Sequence, residues 1–263
     1  MLQVPPASEY KEYLMQFTGF FNSPEEAEQY FFDSKERMQI VLKWLRYLQT
    51  KQVHKVLELG ANPYFLTLLM KKYFDFELHL ANFFGNSADN GTHTQTVKGI
   101  NEEHEFHYAH FNVEVDKFPY ENNSFDCVLF CEIIEHLVLN PDFAVKEMKR
   151  ILKPDGYLII TTPNVTRIYN VVRLLRGINI YKGYSPNGIY GRHNREYTLP
   201  EIIELLKQHQ FKIVETQVSN IGPHPWKSSI VRALRPRLWN DHLFVLAKGL
   251  RGVTARPPST SNT

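Results

Sequence analysis

Short apolar, β-rich runs alternate along this chain with stretches of helical period, and no other feature restricts the fold as strongly. VHKVLELG at 53–60 reads as a strand and NPYFLTLLMKKY as the helix after it. FELHLAN near 76–82, EFHYAHFN at 105–112 and SFDCVLFCE at 124–132 read as three more strands. PDFAVKEMKRIL is a helix stopped by Lys153-Pro154-Asp155-Gly156, and YLIITTP follows as a fifth strand. After the helical TLPEIIELLKQHQ, two last strands, FKIVETQVS and DHLFVLAKG, come with no clear helix between them. The pattern predicts an α/β fold: a doubly wound, mostly parallel sheet of about seven strands with an antiparallel C-terminal edge pair. Ligands of such sheets bind outside the carboxyl ends of the strands. The ends of the first four strands are therefore expected to line one site.

Ahead of the alternation lies an N-terminal helical extension, residues 1–50. Ser23 is its N-cap, Pro24 opens the first turn, and Glu25 and Glu26 sit at the positive helix end. The helix is expected to reach about Gln49, with a place for a break near Asp33-Ser34. Residues 51–250 then make one domain, and 251–263, ending TARPPSTSNT, reads as a disordered tail. A chain of 263 residues suits one such core better than two full domains.

The net charge of +2 gives a nucleic-acid partner no general support. Cys127 and Cys131 lie four apart in a strand, so their side chains point the same way but stand roughly 13 Å apart. That spacing excludes a disulfide between them, and a reduced, cytoplasmic setting is the expectation. No signal-peptide pattern opens the chain, and no apolar run approaches the ~20 residues of a spanning helix. One stretch at 225–239, with Lys227, Arg232, Arg235 and Arg237 among Trp226, Ile230, Val231 and Trp239, reads either as an edge helix or as a peripheral membrane contact.

The middle of the chain carries the chemistry. Phe118-Pro119-Tyr120, Ser124-Phe125-Asp126, the apolar strand, Glu132 to His136, and Arg150 to Gly156 follow one another in order. This succession resembles the class I, Rossmann-like S-adenosylmethionine-dependent methyltransferases, over roughly residues 53–220. The resemblance implies an enzyme that moves a methyl group from S-adenosylmethionine to an acceptor. It implies that Glu58 and Gly60 are the acid and first glycine of the cofactor loop, with Ala61 and Asn62 continuing it. The family usually has further glycines where this chain has Asn62 and Tyr64. Asn tolerates left-handed backbone better than most residues; Tyr64 is expected on the helix. Asn82 stands where the family has an acid for the ribose hydroxyls, and Asn112-Val113 where a residue pair faces adenine. Cys131 and Glu132 lie where the fourth strand opens toward the methyl donor.

For the acceptor side two roles stand open. His136 and His193 are expected to meet near the methyl group, because they follow adjacent strands that open on one sheet edge. They serve either as general base toward a hydroxyl, or, with Glu132 and Glu135, as ligands of a divalent metal. Certain relatives in this family, the small-RNA terminal 2′-O-methyltransferases and the ubiquinone-pathway O-methyltransferases, use E-x-x-E-H with a later histidine in that way. If a helix starts at Glu132, the spacings of three and four put the motif on one helical face. The tyrosine- and arginine-rich segment at about 164–198 is expected to form the acceptor lid. These features favour O-methylation of a small-molecule, sugar or lipid-linked hydroxyl acceptor. RNA 2′-O-methylation and a degenerate, non-catalytic cofactor-binding domain are the alternatives.

Overall fold

The computed structural model describes residues 4–85, 89–181, 183–186, 188–221 and 240–251. Two helices lead in: α1, Ala7–Leu14, and α2, Pro24–Gln49. The sequence predicts α2 well, including the cap, where Ser23 accepts a hydrogen bond from the Glu26 amide. It runs unbroken through Asp33-Ser34, because Ser34 Oγ donates back to the Tyr30 carbonyl at 2.6 Å and so is satisfied inside the helix.

The sheet is built from β1 (Lys55–Leu59), β2 (Glu77–Asn82), β3 (Gly91–Lys98), β4 (Glu103–His110), β5 (Phe125–Cys131), β6 (Leu152–Pro163), β7 (Phe211–Ser219) and β8 (His242–Gly249). Their order is β3-β4-β2-β1-β5-β6-β8-β7. The centre is parallel: β1 pairs with β2 and β5, β2 with β4, and β5 with β6. The expected antiparallel C-terminal edge is formed by β8 against β6 and β7 against β8. One strand was not expected. β3, GTHTQTVK, pairs antiparallel with β4 along its whole length and adds a second antiparallel edge. It is mostly exposed, so its threonines give no apolar alternation to read.

Successive residues of the central strands face opposite sides. Cys127 and Leu129 pack under α1, α2 and α3 (Phe65–Tyr73), while Val128 and Phe130 pack under α4 (Asp142–Ile151) and α6 (Leu199–Gln208). This double cover explains why β5 is almost wholly buried and reads as a continuous apolar run. Between β6 and α6 the lid segment holds a further helix, α5, Ile168–Leu175. Among the described residues no helix is long and apolar enough to cross a membrane. The 225–239 stretch and nearly all of the C-terminal tail lie outside the described residues.

Candidate active site

The carboxyl ends of β1, β2, β4 and β5 open into a cavity of about 310 Å³. Leu59 and Gly60, Asn82 to Phe84, Phe111 to Val113, and Glu132, His136 and Tyr190 are among its walls. A second cavity of about 340 Å³ adjoins it and shares Gly60, Asn62, Glu132 and His136. Its other walls include Glu58, Ala61 and Cys131 from the sheet and Tyr30 and Arg37 from α2. All nine cofactor-loop and strand-end residues singled out in the sequence border one of these two spaces.

Gly60 has φ +69°, a left-handed backbone that disfavours any side chain, and a Cβ there would meet Ile133 Cδ1 at 2.9 Å. Tyr64 does not sit within the α3 helix. It is the N-cap residue, itself left-handed (φ 67°), and wholly buried. Its hydroxyl donates to Gln95 on β3 and accepts from Asn82 Nδ2, each at 2.9 Å. Asn82 Oδ1 in turn accepts the Asn62 amide at 2.9 Å. An amide does here what an acid could not, since it donates and accepts at once. On the next strand end, Asn112 donates to the Tyr190 hydroxyl and accepts the Glu114 amide. Glu58 is buried with Thr67 as hydrogen-bond donor at 2.5 Å, and desolvation pushes its pKa up to about 8. Burial likewise moves the Cys131 thiol up to about 12, so it is no nucleophile.

The E-x-x-E-H segment does not form one helical face. Glu132, directly after β5, has a left-handed φ of 56°, and only Ile134–His136 close a short 3₁₀ turn. The two acids therefore part. Glu132 pairs with Arg37 at 2.9 Å and His242 at 3.0 Å and accepts from Thr161 at 2.8 Å. Burial alone would raise its pKa, but Arg37 and His242 hold it well below the usual carboxylate range. Glu135 is fully buried, and its Oε2 accepts from Thr162 at 2.9 Å while Oε1 has no partner. Burial and the nearby Glu132 charge raise its pKa well above the ordinary value.

His136 and His193 come together with ring centroids 5.0 Å apart and planes at 89°. His136 Nδ1 lies 2.9 and 3.0 Å from the Tyr190 and Arg192 carbonyls. His193 Nδ1 lies 3.1 Å from Glu196, which a bidentate Arg167 and the Asn170 amide fix in place. Carbonyl and carboxylate acceptors put the protons on both Nδ1 atoms, so each Nε2 is left as a base or ligand. Those hydrogen bonds hold Glu196 at about 2 against the opposing effect of burial. Burial and the facing His193 lower the pKa of His136. Donor atoms of Glu135, His136 and His193 lie within 4.8 Å of one another; Glu132 is outside that group.

Two further cavities lie beyond the pair. One, of about 500 Å³, lies under the lid between His136, Arg167, Tyr181, Tyr184 and His193. The other, of about 430 Å³, is bounded by Arg37, Tyr169, His193 and His242. His136 thus borders both cavities at the strand ends and the one under the lid.

Residues 57–160 match the family model described as a methyltransferase domain. That stretch is a methyltransferase domain, in line with the resemblance of the sequence to the class I S-adenosylmethionine-dependent methyltransferases. A methyltransferase of that cofactor class from Archaeoglobus fulgidus has the same fold, with a TM-score of 0.52 at 14% identity over 84% of this chain and 99% of its own. An S-adenosylmethionine-dependent methyltransferase of Methanosarcina mazei (TM-score 0.46, 18% identity, 74% and 92% covered) and a sarcosine dimethylglycine methyltransferase homologue of Galdieria sulphuraria (0.48, 14%, 81% and 85%) are more distant in shape. No curated protein matches the sequence. Several residues of this methyltransferase's site carry no signal in its sequence. Arg37 and Tyr30 stand on a helix read only for its cap and its extent, and His242 opens β8, the strand next to the C-terminal edge. Phe83 and Phe84 were legible in principle, as aromatic residues directly after the second strand.

Proposed function

We propose that the paired cavities at the strand ends hold S-adenosylmethionine and that this methyltransferase acts on a hydroxyl of a small-molecule, sugar or lipid-linked acceptor. The adenosine would lie among Asn82, Phe83, Asn112 and Val113, and the methionine would reach past Gly60 toward Glu58. The observation that carries the reading is the place of His136, which borders both strand-end cavities and the lid cavity and faces His193 across 5.0 Å. An acceptor hydroxyl entering under the lid meets an unprotonated Nε2 where the methyl group would be. In the transfer the acceptor oxygen forms a bond to the methyl carbon as the carbon–sulfur bond breaks. The hydroxyl proton passes to an imidazole, and S-adenosylhomocysteine leaves. Placement of the two reactants supplies much of the rate, and the base adds to it.

Glu135 favours a second reading of the same histidines. Glu135 has a buried, unpartnered Oε1, and ligand atoms of Glu135, His136 and His193 lie within 4.8 Å of one another, a mixed oxygen and nitrogen donor set that fits a divalent cation. A cation there would acidify and orient the acceptor hydroxyl. Glu132 would join only by leaving Arg37 and His242. A methyl-release assay over glycan, lipid-linked and small hydroxyl acceptors tests the main reading; transfer to amines or carbon acids alone would overturn it. Chelation separates the two roles: loss of turnover restored by magnesium or manganese supports the cation, and indifference to chelator supports the base.

A further inference from the structure

Helix α5 is inside out. Its only buried residue is the polar Asn170, which donates to Glu196 and to the Val165 carbonyl. Its leucines face solvent: Leu174 is 58% and Leu175 83% exposed. The helix ends at Gly177 (φ +69°), where the Gly177 and Ile178 amides bond back to the Leu174 and Arg173 carbonyls. This C-cap places Ile178 at the end of the stripe Val171, Leu174, Leu175. Ile178, Tyr181, Tyr184 and Ile189 extend the exposed apolar surface along the lid, and Tyr184 is 91% exposed. Soluble surfaces seldom carry contiguous apolar patches of this kind without a partner.

The same segment is basic throughout. From residue 165 to 195 the chain has six Lys and Arg and no Asp or Glu, against a net charge of +2 for the whole. The rest of the molecule is therefore net acidic. Arg167 and Arg195 are neutralised by Glu196 and Glu201. Arg173 bonds to the Asn179 carbonyl and the Tyr169 hydroxyl, and Arg192 lies over the Tyr184 ring. Among the described residues Arg173, Arg176 and Arg192 have no acidic partner. Aliphatic side chains flanked by uncompensated arginines suit an interface of acyl chains beneath anionic headgroups. A nucleic acid would use the arginines but not the leucines.

We infer that the outer face of α5 and the lid loop after it, from Leu174 to Tyr184, docks on an anionic lipid bilayer. The placement has a consequence for the enzyme, because Tyr181 and Tyr184 are also walls of the lid cavity that holds His136 and His193. Docking would set that cavity beside the membrane surface. The inference about docking stands without the acceptor assignment, since vesicle binding is measured with no substrate present.

The test is flotation of the full chain with vesicles of phosphatidylcholine alone or with about 30% phosphatidylglycerol, enough to give the surface a strong negative potential. The wild type should float with the anionic vesicles and not with the neutral ones. The exposed double variant Leu174→Ser/Leu175→Ser, and separately Arg176→Glu, should each cut the bound fraction, the arginine change by about fivefold or more. Circular dichroism and the melting temperature of both variants should match the wild type, because all three side chains are exposed. Equal flotation of the double variant would overturn the inference. So would binding to single-stranded RNA in place of vesicles, or a concentration-dependent dimer that the double variant abolishes.

Discussion

At the ends of β1, β2 and β4 the polar side chains hold one another. Asn82 bridges the Asn62 amide and the Tyr64 hydroxyl, and Asn112 bridges Tyr190 and Glu114. Under the lid the arrangement is the reverse. Glu135 Oε1 has no partner, and His136 and His193 are fixed through Nδ1 with Nε2 bare. The first region is a preorganised shape, in which hydrogen bonds set loop conformation so that a ligand meets a finished surface. The second keeps open valences, of which the buried Glu135 Oε1 alone costs about 1–3 kcal/mol, a cost that a reacting or coordinated partner would relieve. On the proposed function, the contrast separates recognition from chemistry along one sheet edge, with Glu132, Arg37 and His242 as the neutralised seam between them.

If chemistry resides only under the lid, His136→Ala/His193→Ala should lower kcat by about 10²–10⁴-fold, with S-adenosylmethionine affinity within about threefold. An equal loss of donor affinity would break the division. The seam should act on stability more than on either function. Arg37→Ala leaves a buried Glu132 with His242 and Thr161 only, a change expected to cost about 3 kcal/mol, and so a fall in melting temperature of roughly 6–12 °C. The sign with pH follows from the lowered pKa of Glu132. Its contribution in the wild type is present above the unfolded value near pH 4.3 and is lost as pH falls below it. Melting curves from pH 7 down to pH 3 should therefore fall less steeply in Arg37→Ala than in the wild type.

On the recognition side, Gly60→Val should weaken donor binding by at least about tenfold. The left-handed φ alone costs about 1–3 kcal/mol, and the added carbons would push Ile133 into the cavity. Calorimetry beside a circular dichroism spectrum separates lost binding from lost fold. The smallest effect is expected at Asn82→Asp. The carboxylate keeps the Asn62 amide and gains strength toward ribose hydroxyls, but loses the donation to Tyr64, so affinity should stay within about tenfold in either direction. A larger change would mean that Asn82 does more than hold the loop.

Much of this contrast was legible before any coordinates. Strands buried on both faces announced themselves as apolar runs, and the topological argument brought His136 to His193 from 57 positions apart in the chain. The failures share a cause. Glu132 and Glu135 look like one helical face by spacing, yet a single left-handed residue at the strand end separates them. β3 is written in threonine and histidine on an exposed edge, where no apolar pattern marks it. Arg37 serves the site from a helix that packs across the sheet, and such contacts between distant segments leave no trace in local periodicity.

The claim that S-adenosylmethionine fills the paired cavities is tested most directly by calorimetric titration at pH 7 in two buffers of different ionisation enthalpy. With its pKa near 8, Glu58 is protonated at that pH and would ionise on meeting the ammonium group of the methionine. The expected result is saturable one-to-one binding with release of most of a proton, and no release in Glu58→Gln. Absence of saturable binding, or binding with the same proton release in wild type and variant, would contradict the account.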